Sequence, residues 1–357
     1  MIKKTKLADV AVWGRIPPPI GGMAVHLRRL RPYLTEAGIT IQMYSIGRVS
    51  SAHPEVKQVS NHRFAWFFSL LLGRCEPIHY VFSDNILARF AASLLAVLRG
   101  TKVVLRIGSE SVSHAAVSKR FLERFMIRFA IRHVTVVVGV SEEICSLATL
   151  MGAKRVIHVP GFIPETCDEK LLPDEVRAFL EAGNNPVMLA SGEVHDPDDD
   201  DLYGAYALLD LLERDSTLRL IFYAYKITLG AGPQERLAKE ILKRGIQGRY
   251  FLFRSETDLL PAMLNCALMI RPTSTDGDSN SIREALHADL PVIASDCVKR
   301  PEGVITFPAG NLNAMHETVL MVLNDLEQFR QKVRSLPKPN HAKPIVNLFI
   351  EFIGCVQ

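Results

Sequence analysis

The sequence predicts an α/β chain of two doubly wound parallel-sheet domains facing a cleft. Three observations carry that expectation. Short runs of Val, Ile and Leu alternate with longer helical patterns along the whole chain; the runs are apolar at consecutive positions; and the scheme occurs twice. Strands covered by helices on both faces read as continuous apolar runs, and parallel neighbours require a crossover element between them. At 357 residues and 48% hydrophobic, the chain is long enough to bury two such cores.

In the first half the strand candidates are LADVAVW (7–13), TIQMYSI (40–46), IHYVF (78–82), KVVLRI (102–107), VTVVVGV (134–140) and VIHV (156–159), with helical patterns over 23–37, 86–98, 119–133 and 142–151. In the second half they are PVMLAS (186–191), LRLIFYA (218–224), RYFLF (249–253), ALMIRP (267–272), PVIAS (291–295) and GVITF (303–307). Helices are expected over 201–214, 233–244, 256–265, 280–288 and 311–324. Pro160, Gly161 and Pro164 punctuate the join, which divides the chain into 1–163, 164–340 and a terminal helix within 341–357 that can pack back on the first domain.

No apolar run approaches the roughly 18 residues of a membrane span, and the lysines of the N-terminus lead straight into a strand without an apolar signal core. The six cysteines are scattered without CxxC spacing, as suits reduced thiols in the cytoplasm. The net charge of +4 conceals an asymmetry. Residues 1–160 hold 22 Lys and Arg against 9 Asp and Glu, whereas the remainder holds 20 against 29. A basic half is suited to an anionic partner. No zinc-finger, RNP or helix-turn-helix pattern accompanies the charge, so nucleic acid is not the expected partner. In 119–133, Phe121, Leu122, Phe125, Met126 and Phe129 interleave with Lys119, Arg120, Arg124, Arg128 and Arg132. This pattern suits a core-facing stripe or an interfacial helix on anionic lipid, the peripheral inner face of a membrane.

Ligands of open α/β sheets bind beyond the carboxyl ends of the strands. After the first strand, Gly21 and Gly22 open a helix whose free N–H groups can face an anion, although GxGxxG spacing is absent. After 102–107 come Ser109, Glu110 and His114, with Arg106 just before them, as acid/base candidates. Gly192 and Glu193 end the first strand of the second half, followed by Asp196 and the run 198–201; the run reads as a solvated loop or helix start, with a Mg²⁺ or Mn²⁺ site as the rival reading. The most informative stretch runs from Arg271 to Asp296, RPTSTDGDSNSIREALHADLPVIASD. Ser279, Asn280 and Ser281 can cap a helix carrying Glu284, whose two carboxylate oxygens can accept from both ribose hydroxyls. The helix start between Asp276 and Glu284 is suited to a diphosphate.

That stretch resembles the second domain of retaining glycosyltransferases of family 4, which have the GT-B fold. The family's two acids have seven residues between them, here Asp276 and Glu284, followed by Leu290-Pro291-Val292-Ile293-Ala294-Ser295-Asp296. PPPIGGMAVHLRRL is similar to the family's first-domain glycine loop, VVVGVSEEICSLATLMGAKRVIHVPGFIP to its interdomain segment, and GVITFPAGNLNAMHETVLMVLND to its closing strand and helix. The resemblance implies a nucleotide-sugar donor held by the second domain and a glycan or polyprenyl-diphosphate-linked acceptor held by the first, at the cytoplasmic face of the membrane, in cell-surface polysaccharide synthesis. It implies no required metal or prosthetic group. Glu284 would hold the ribose, Asp276 would lie beside the donor sugar, and the backbone of Gly277, Asp278, Ser279 and Asn280 would face sugar and phosphates.

The sequence departs from that pattern in three places. The first acid is Asp rather than Glu. The Arg and Lys that follow the first strand of the second domain are replaced by Gly192 and Glu193, so that Lys226 or Arg254 would have to neutralise the diphosphate. The first-domain active-site His is replaced, with Arg106 or His114 as its substitute. Two other readings stay open on the same fold: a non-catalytic scaffold that binds a glycan or a partner, and a sugar-nucleotide epimerase.

Overall fold

This computed structural model describes residues 7–14, 22–45, 56–58, 67–68, 71–72, 75–108, 120–164, 172–196, 201–225, 232–254, 257–276 and 279–355. The chain divides into two compact units, one of residues 1–163 with 340–357 and the other of residues 164–339.

The first unit holds seven parallel strands, β1 (Val10–Gly14), β2 (Ile41–Ser45), β3 (Val56–Gln58), β4 (Ile78–Phe82), β5 (Lys102–Ile107), β6 (Val136–Gly139) and β7 (Val156–His158), in the order β3-β2-β1-β4-β5-β6-β7. Helices α1 (Gly22–Glu36), α2 (Ile86–Arg99), α3 (Phe121–His133) and α4 (Glu142–Leu150) connect them. The strands are buried throughout β1, β4 and β6, which is why they read as largely apolar runs, with His79 of β4 the polar exception. Asn85 caps α2 by accepting from the N–H groups of Leu87 and Ala88, and Ser141 caps α4 by accepting from that of Ile144. The last helix, α12 (Ala342–Gly354), belongs to this unit. Its Ile345, Leu348, Phe349 and Phe352 are buried in one cluster with Leu27, Leu30 and Leu34 of α1, each worth roughly 1.5–3 kcal/mol of burial. Tyr80 meets Phe349 edge to face at 5.6 Å, and Arg155 forms a two-pronged pair with Glu351 at 2.6 and 3.1 Å.

The second unit holds β8 (Val187–Gly192), β9 (Arg219–Ala224), β10 (Tyr250–Arg254), β11 (Leu268–Arg271), β12 (Val292–Ser295) and β13 (Val304–Phe307), again all parallel, in the order β10-β9-β8-β11-β12-β13. Its helices are α5 (Asp174–Glu181), α6 (Ala205–Arg214), α7 (Pro233–Lys243), α8 (Leu260–Met263), α9 (Asn280–His287), α10 (Leu312–Asn324) and α11 (Leu326–Arg334). Both sheets start in the middle, build outward to one edge, then return to the middle and build to the other. The topological switch points therefore lie between β1 and β4 and between β8 and β11, where ligands of such sheets bind.

Two described elements were not expected from the sequence. β3 is a three-residue edge strand of mixed polarity, and α11 (LEQFRQKVR) buries only Val333. β3 carries no apolar periodicity, whereas α11 spaces Leu326, Phe329 and Val333 along one face, with Leu326 and Phe329 packed on the core, a signal missed in the sequence. The stripe expected on α3 is also corrected. Its buried face is Met126, Ile127, Ala130 and Ile131, while Phe121, Leu122 and Phe125 are 74%, 64% and 47% exposed. Among the described residues, no helix is long and apolar enough to cross a membrane.

Candidate donor site at the second switch point

Arg271 ends β11, and its neighbour across the switch point is β8, with Leu268 opposite Met188 and Met269 opposite Leu189. The Arg271 guanidinium bridges the gap. Its Nη1 donates to the Ser191 carbonyl at 3.3 Å, at the end of β8, and to Ser281 Oγ at 3.4 Å, in the first turn of α9. Nε and Nη2 donate to the two oxygens of Asp276 at 2.7 and 3.0 Å. The ring of Tyr203 covers the guanidinium, its centroid 5.2 Å from Cζ.

Tyr203 can sit there because residue 192 is glycine: a Cβ at Gly192 would lie 2.3 Å from Tyr203 Cγ. The residue after Tyr203, Gly204, adopts a left-handed φ of +69°, and a Cβ on it would meet Pro272 at 2.4 Å. Both glycines let the loop after β8 close over the end of β11.

Asp276 is held from a second side by Arg300, whose Nη1 donates to Oδ2 at 2.7 Å. The rest of the Arg300 guanidinium is engaged by the protein: Nε donates to the Ser295 carbonyl at 2.9 Å and Nη2 to Thr273 Oγ1 at 3.0 Å. Burial alone pushes the Asp276 carboxyl up, but the two arginines outweigh it and hold it below the usual carboxylate range. Burial likewise works against the charge on Arg271, and Asp276 more than restores it.

The helix α9 starts beside this cluster. Ser279 is its N-cap, accepting from the Ile282 N–H at 3.5 Å, and its hydroxyl meets that of Ser281 at 3.0 Å. Glu284 lies one turn beyond Asn280 and is buried, with 7% exposure. The Tyr225 phenol, raised by burial, feels the charges of Arg271 and Glu284 in opposite senses, which brings both residues to the same end of the sheet.

The remaining candidates lie apart from this cluster or outside the described residues. Gly21, His114, Lys226, Gly277, Asp278, Ser109, Glu110 and positions 198–200 fall outside them. Arg254 ends the edge strand β10, three strands from β11, or about 14 Å at the usual strand spacing. Its Nη2 donates to the Gln234 carbonyl at 3.2 Å and meets Glu235 at 3.4 Å. Asp196 pairs with Arg236, and Asp201 accepts from the N–H groups of Tyr206 and Ala207 at 2.9 and 3.0 Å, capping α6. Among the described residues, no group of three or more His, Cys, Asp and Glu is placed to hold a metal ion.

Gly22 opens α1 in the first unit, and Arg106 is the penultimate residue of β5 there. Arg106 is fully buried, with Nη2 donating to the carbonyls of Val159 and Pro160 at 3.1 and 2.9 Å and its Cζ 5.5 Å from the Phe82 ring centroid. His26 reaches the Gly161 carbonyl through Nδ1 at 2.8 Å and the Tyr80 hydroxyl through Nε2 at 3.1 Å. Burial first, then the Arg106 charge, lowers the imidazole well below its ordinary value. Arg29 adds a bond to the Ile163 carbonyl at 3.4 Å. Arg106, His26 and Arg29 thus hold four of the five backbone oxygens from Val159 to Ile163, where the chain leaves the first unit.

Sequence reasoning missed Arg271, Arg300 and Tyr203. The available signal was a basic residue ending an otherwise apolar strand, immediately before Pro272, a place where a side chain meets the ligand end of the sheet.

Residues 201–325 match the family model described as "Glycosyl transferases group 1". Sucrose-phosphate synthase from Thermosynechococcus elongatus superposes over 97% of this chain and 100% of its own, with a TM-score of 0.69 at 15% identity. Anabaena HepE, solved in complex with UDP-glucose, covers 96% of each chain with a TM-score of 0.66 at 13% identity. The lipopolysaccharide outer core galactosyltransferase WaaB covers 96% of this chain and 99% of its own, with a TM-score of 0.62 at 14% identity. The fold is GT-B, and the second unit carries a glycosyltransferase domain. No curated protein sequence matches the chain. The matched span of the glycosyltransferase domain includes Arg271, Asp276, Glu284 and Arg300, so the cluster at the β8–β11 switch point lies inside it.

Proposed function

We propose that this glycosyltransferase transfers a sugar, with retention, from a nucleoside-diphosphate sugar to a glycan or lipid-linked acceptor of a cell-surface polysaccharide, as a member of family 4. The observation that carries the reading is the placement of Glu284, one turn inside a capped helix whose N-terminus opens at the switch point of the second sheet. A buried carboxylate there can accept from the paired hydroxyls of a ribose, while the helix start offers N–H groups to the phosphates. HepE binds UDP-glucose and WaaB is a galactosyltransferase, and both share the fold; this supports a nucleotide-sugar donor. The donor falls to the second unit and the acceptor to the first. No metal is assigned a role.

Two features support a peripheral membrane site for the acceptor. The first half of the chain is strongly basic, and α3 turns Phe121, Leu122 and Phe125 outward among Arg120, Arg124 and Arg128. Apolar side chains flanked by arginines can bury themselves at the headgroup boundary of an anionic leaflet.

The test is a calorimetric panel of UDP, GDP and ADP and their glucose conjugates against the full chain and Glu284→Gln. One nucleotide class is expected to bind, and loss of the carboxylate charge, worth about 1.5–3 kcal/mol in a charge-assisted hydrogen bond, is expected to weaken it at least about tenfold. Binding of none of the three, or equal binding by the variant, would refute the reading.

A further inference from the structure

The loop after β8 offers Glu193 where the family resemblance leads one to expect bases, and Arg254 stands three strands away with its own partners. Lys226 lies outside the described residues, and among the described ones Arg271 reaches the start of α9. Two buried arginines share one carboxylate at the switch point, leaving one positive charge in excess within that trio. They are not equivalent. Arg300 is 3% exposed and spends every nitrogen on short bonds to protein acceptors, so it cancels the charge of Asp276 and fixes its position. Arg271 is anchored by Asp276 on one edge only. Its Nη1 makes two contacts of 3.3 and 3.4 Å, at the outer limit of a hydrogen bond, and one of them is to the first turn of α9. Glu284 is one turn deeper in the helix.

We infer that Arg271 is the diphosphate-binding base of this chain, and that Asp276 and Arg300 are positioning residues that hold its guanidinium at the start of α9. The inference rests on the donor reading given above. Nη1 exchanges its two long contacts for a phosphate oxygen, while the Nε–Nη2 edge stays on Asp276. A planar fork fixed along one edge presents the other without loss of rotamer freedom, which a lysine cannot do. Asp276 accordingly acts on the donor through Arg271, and its shortening from Glu sets the carboxylate back to where both arginines reach it.

The experiment compares nucleoside, monophosphate and diphosphate of the preferred base by calorimetry on the full chain, in wild type, Arg271→Gln, Arg271→Lys and Asp276→Asn. Arg271→Gln is expected to weaken the diphosphate by about tenfold or more and the nucleoside by less than about twofold, the size of one charge-assisted phosphate contact. Arg271→Lys keeps the charge without the fork and is expected to lose about three- to tenfold for the diphosphate alone. Asp276→Asn is expected to follow in the same direction, again sparing the nucleoside. A diphosphate affinity in Arg271→Gln within about twofold of wild type overturns the assignment. So does a loss of equal size for nucleoside and diphosphate in Arg271→Lys, which marks a general structural effect and covers the case in which the glutamine variant fails to fold. If wild type binds none of the nucleoside diphosphates, the donor reading itself falls, and this assignment with it; binding that survives Arg271→Gln removes only the assignment.

Discussion

Replacing Arg300 with Met removes a buried cation while keeping a long side chain in its place. Asp276 then loses a 2.7 Å charge-assisted bond but keeps both bonds to Arg271, so its carboxylate is not left bare. The Ser295 carbonyl and Thr273 Oγ1 each lose a donor. A charge-assisted bond contributes about 1.5–3 kcal/mol and an abandoned buried acceptor about one more, offset in part by the apolar methionine, so the expected loss is about 2–4 kcal/mol. In a unit of this size that corresponds to a fall in Tm of about 5–15 °C. Both tryptophans, at positions 13 and 66, precede residue 164, so their fluorescence reports the first unit, whereas far-UV circular dichroism reports both. Urea unfolding followed by both signals is measured for Arg300→Met, Asp276→Asn and the double variant. The pair should show a coupling of about 1–3 kcal/mol. Additive single effects, or a loss under about 0.5 kcal/mol for Arg300→Met, would refute the view that Arg300 holds Asp276.

Gly192→Ala places a Cβ 2.3 Å from Tyr203 Cγ and displaces that ring from Arg271; a stability loss of about 1–3 kcal/mol is expected by thermal unfolding. Asp276 titrates below its unfolded value in the folded chain, so its contribution to stability is full above about pH 4 and is lost as pH falls through the depressed folded value. The stability gap between wild type and Asp276→Asn, measured by urea unfolding, should therefore be constant from neutrality to about pH 5 and shrink below about pH 4. Phe121→Asp with Phe125→Asp should abolish sedimentation with phosphatidylglycerol vesicles while leaving Tm within a few degrees, because both rings are exposed; unchanged sedimentation would remove the membrane role of α3.

The α/β class and its duplication were legible because buried parallel strands leave unbroken apolar runs, as in VAVW and VVVG, which no surface pressure interrupts. β3 was not, since a half-exposed edge strand has no such constraint, while α11 signals itself only by Leu326, Phe329 and Val333 among polar neighbours. At the site, the helix start and the position of Glu284 were readable because cap chemistry and helical spacing are local. The pairing of Asp276 with Arg271 and Arg300 was hidden, since Arg300 lies 24 residues away and arrives from the loop after a different strand. The acidic residues after β8 looked like a threat to phosphate binding. Asp201 holds the start of α6, one of the readings its run allowed, while Asp196 is spent on Arg236, 40 residues away, a pairing that only tertiary contact makes.

The docking of α12 onto α1 has a consequence for synthesis. The first unit closes its core with residues 342–354, which leave the ribosome only after about 180 further residues have been added to residue 163. At roughly 5–20 residues per second, Leu27, Leu30 and Leu34 wait about 10–40 s for their cover. During that interval the whole of the second unit emerges and can fold, so the part of the chain made first is finished last. The nascent protein thus carries an unsealed apolar face until α12 is made, a surface that the mature molecule no longer displays.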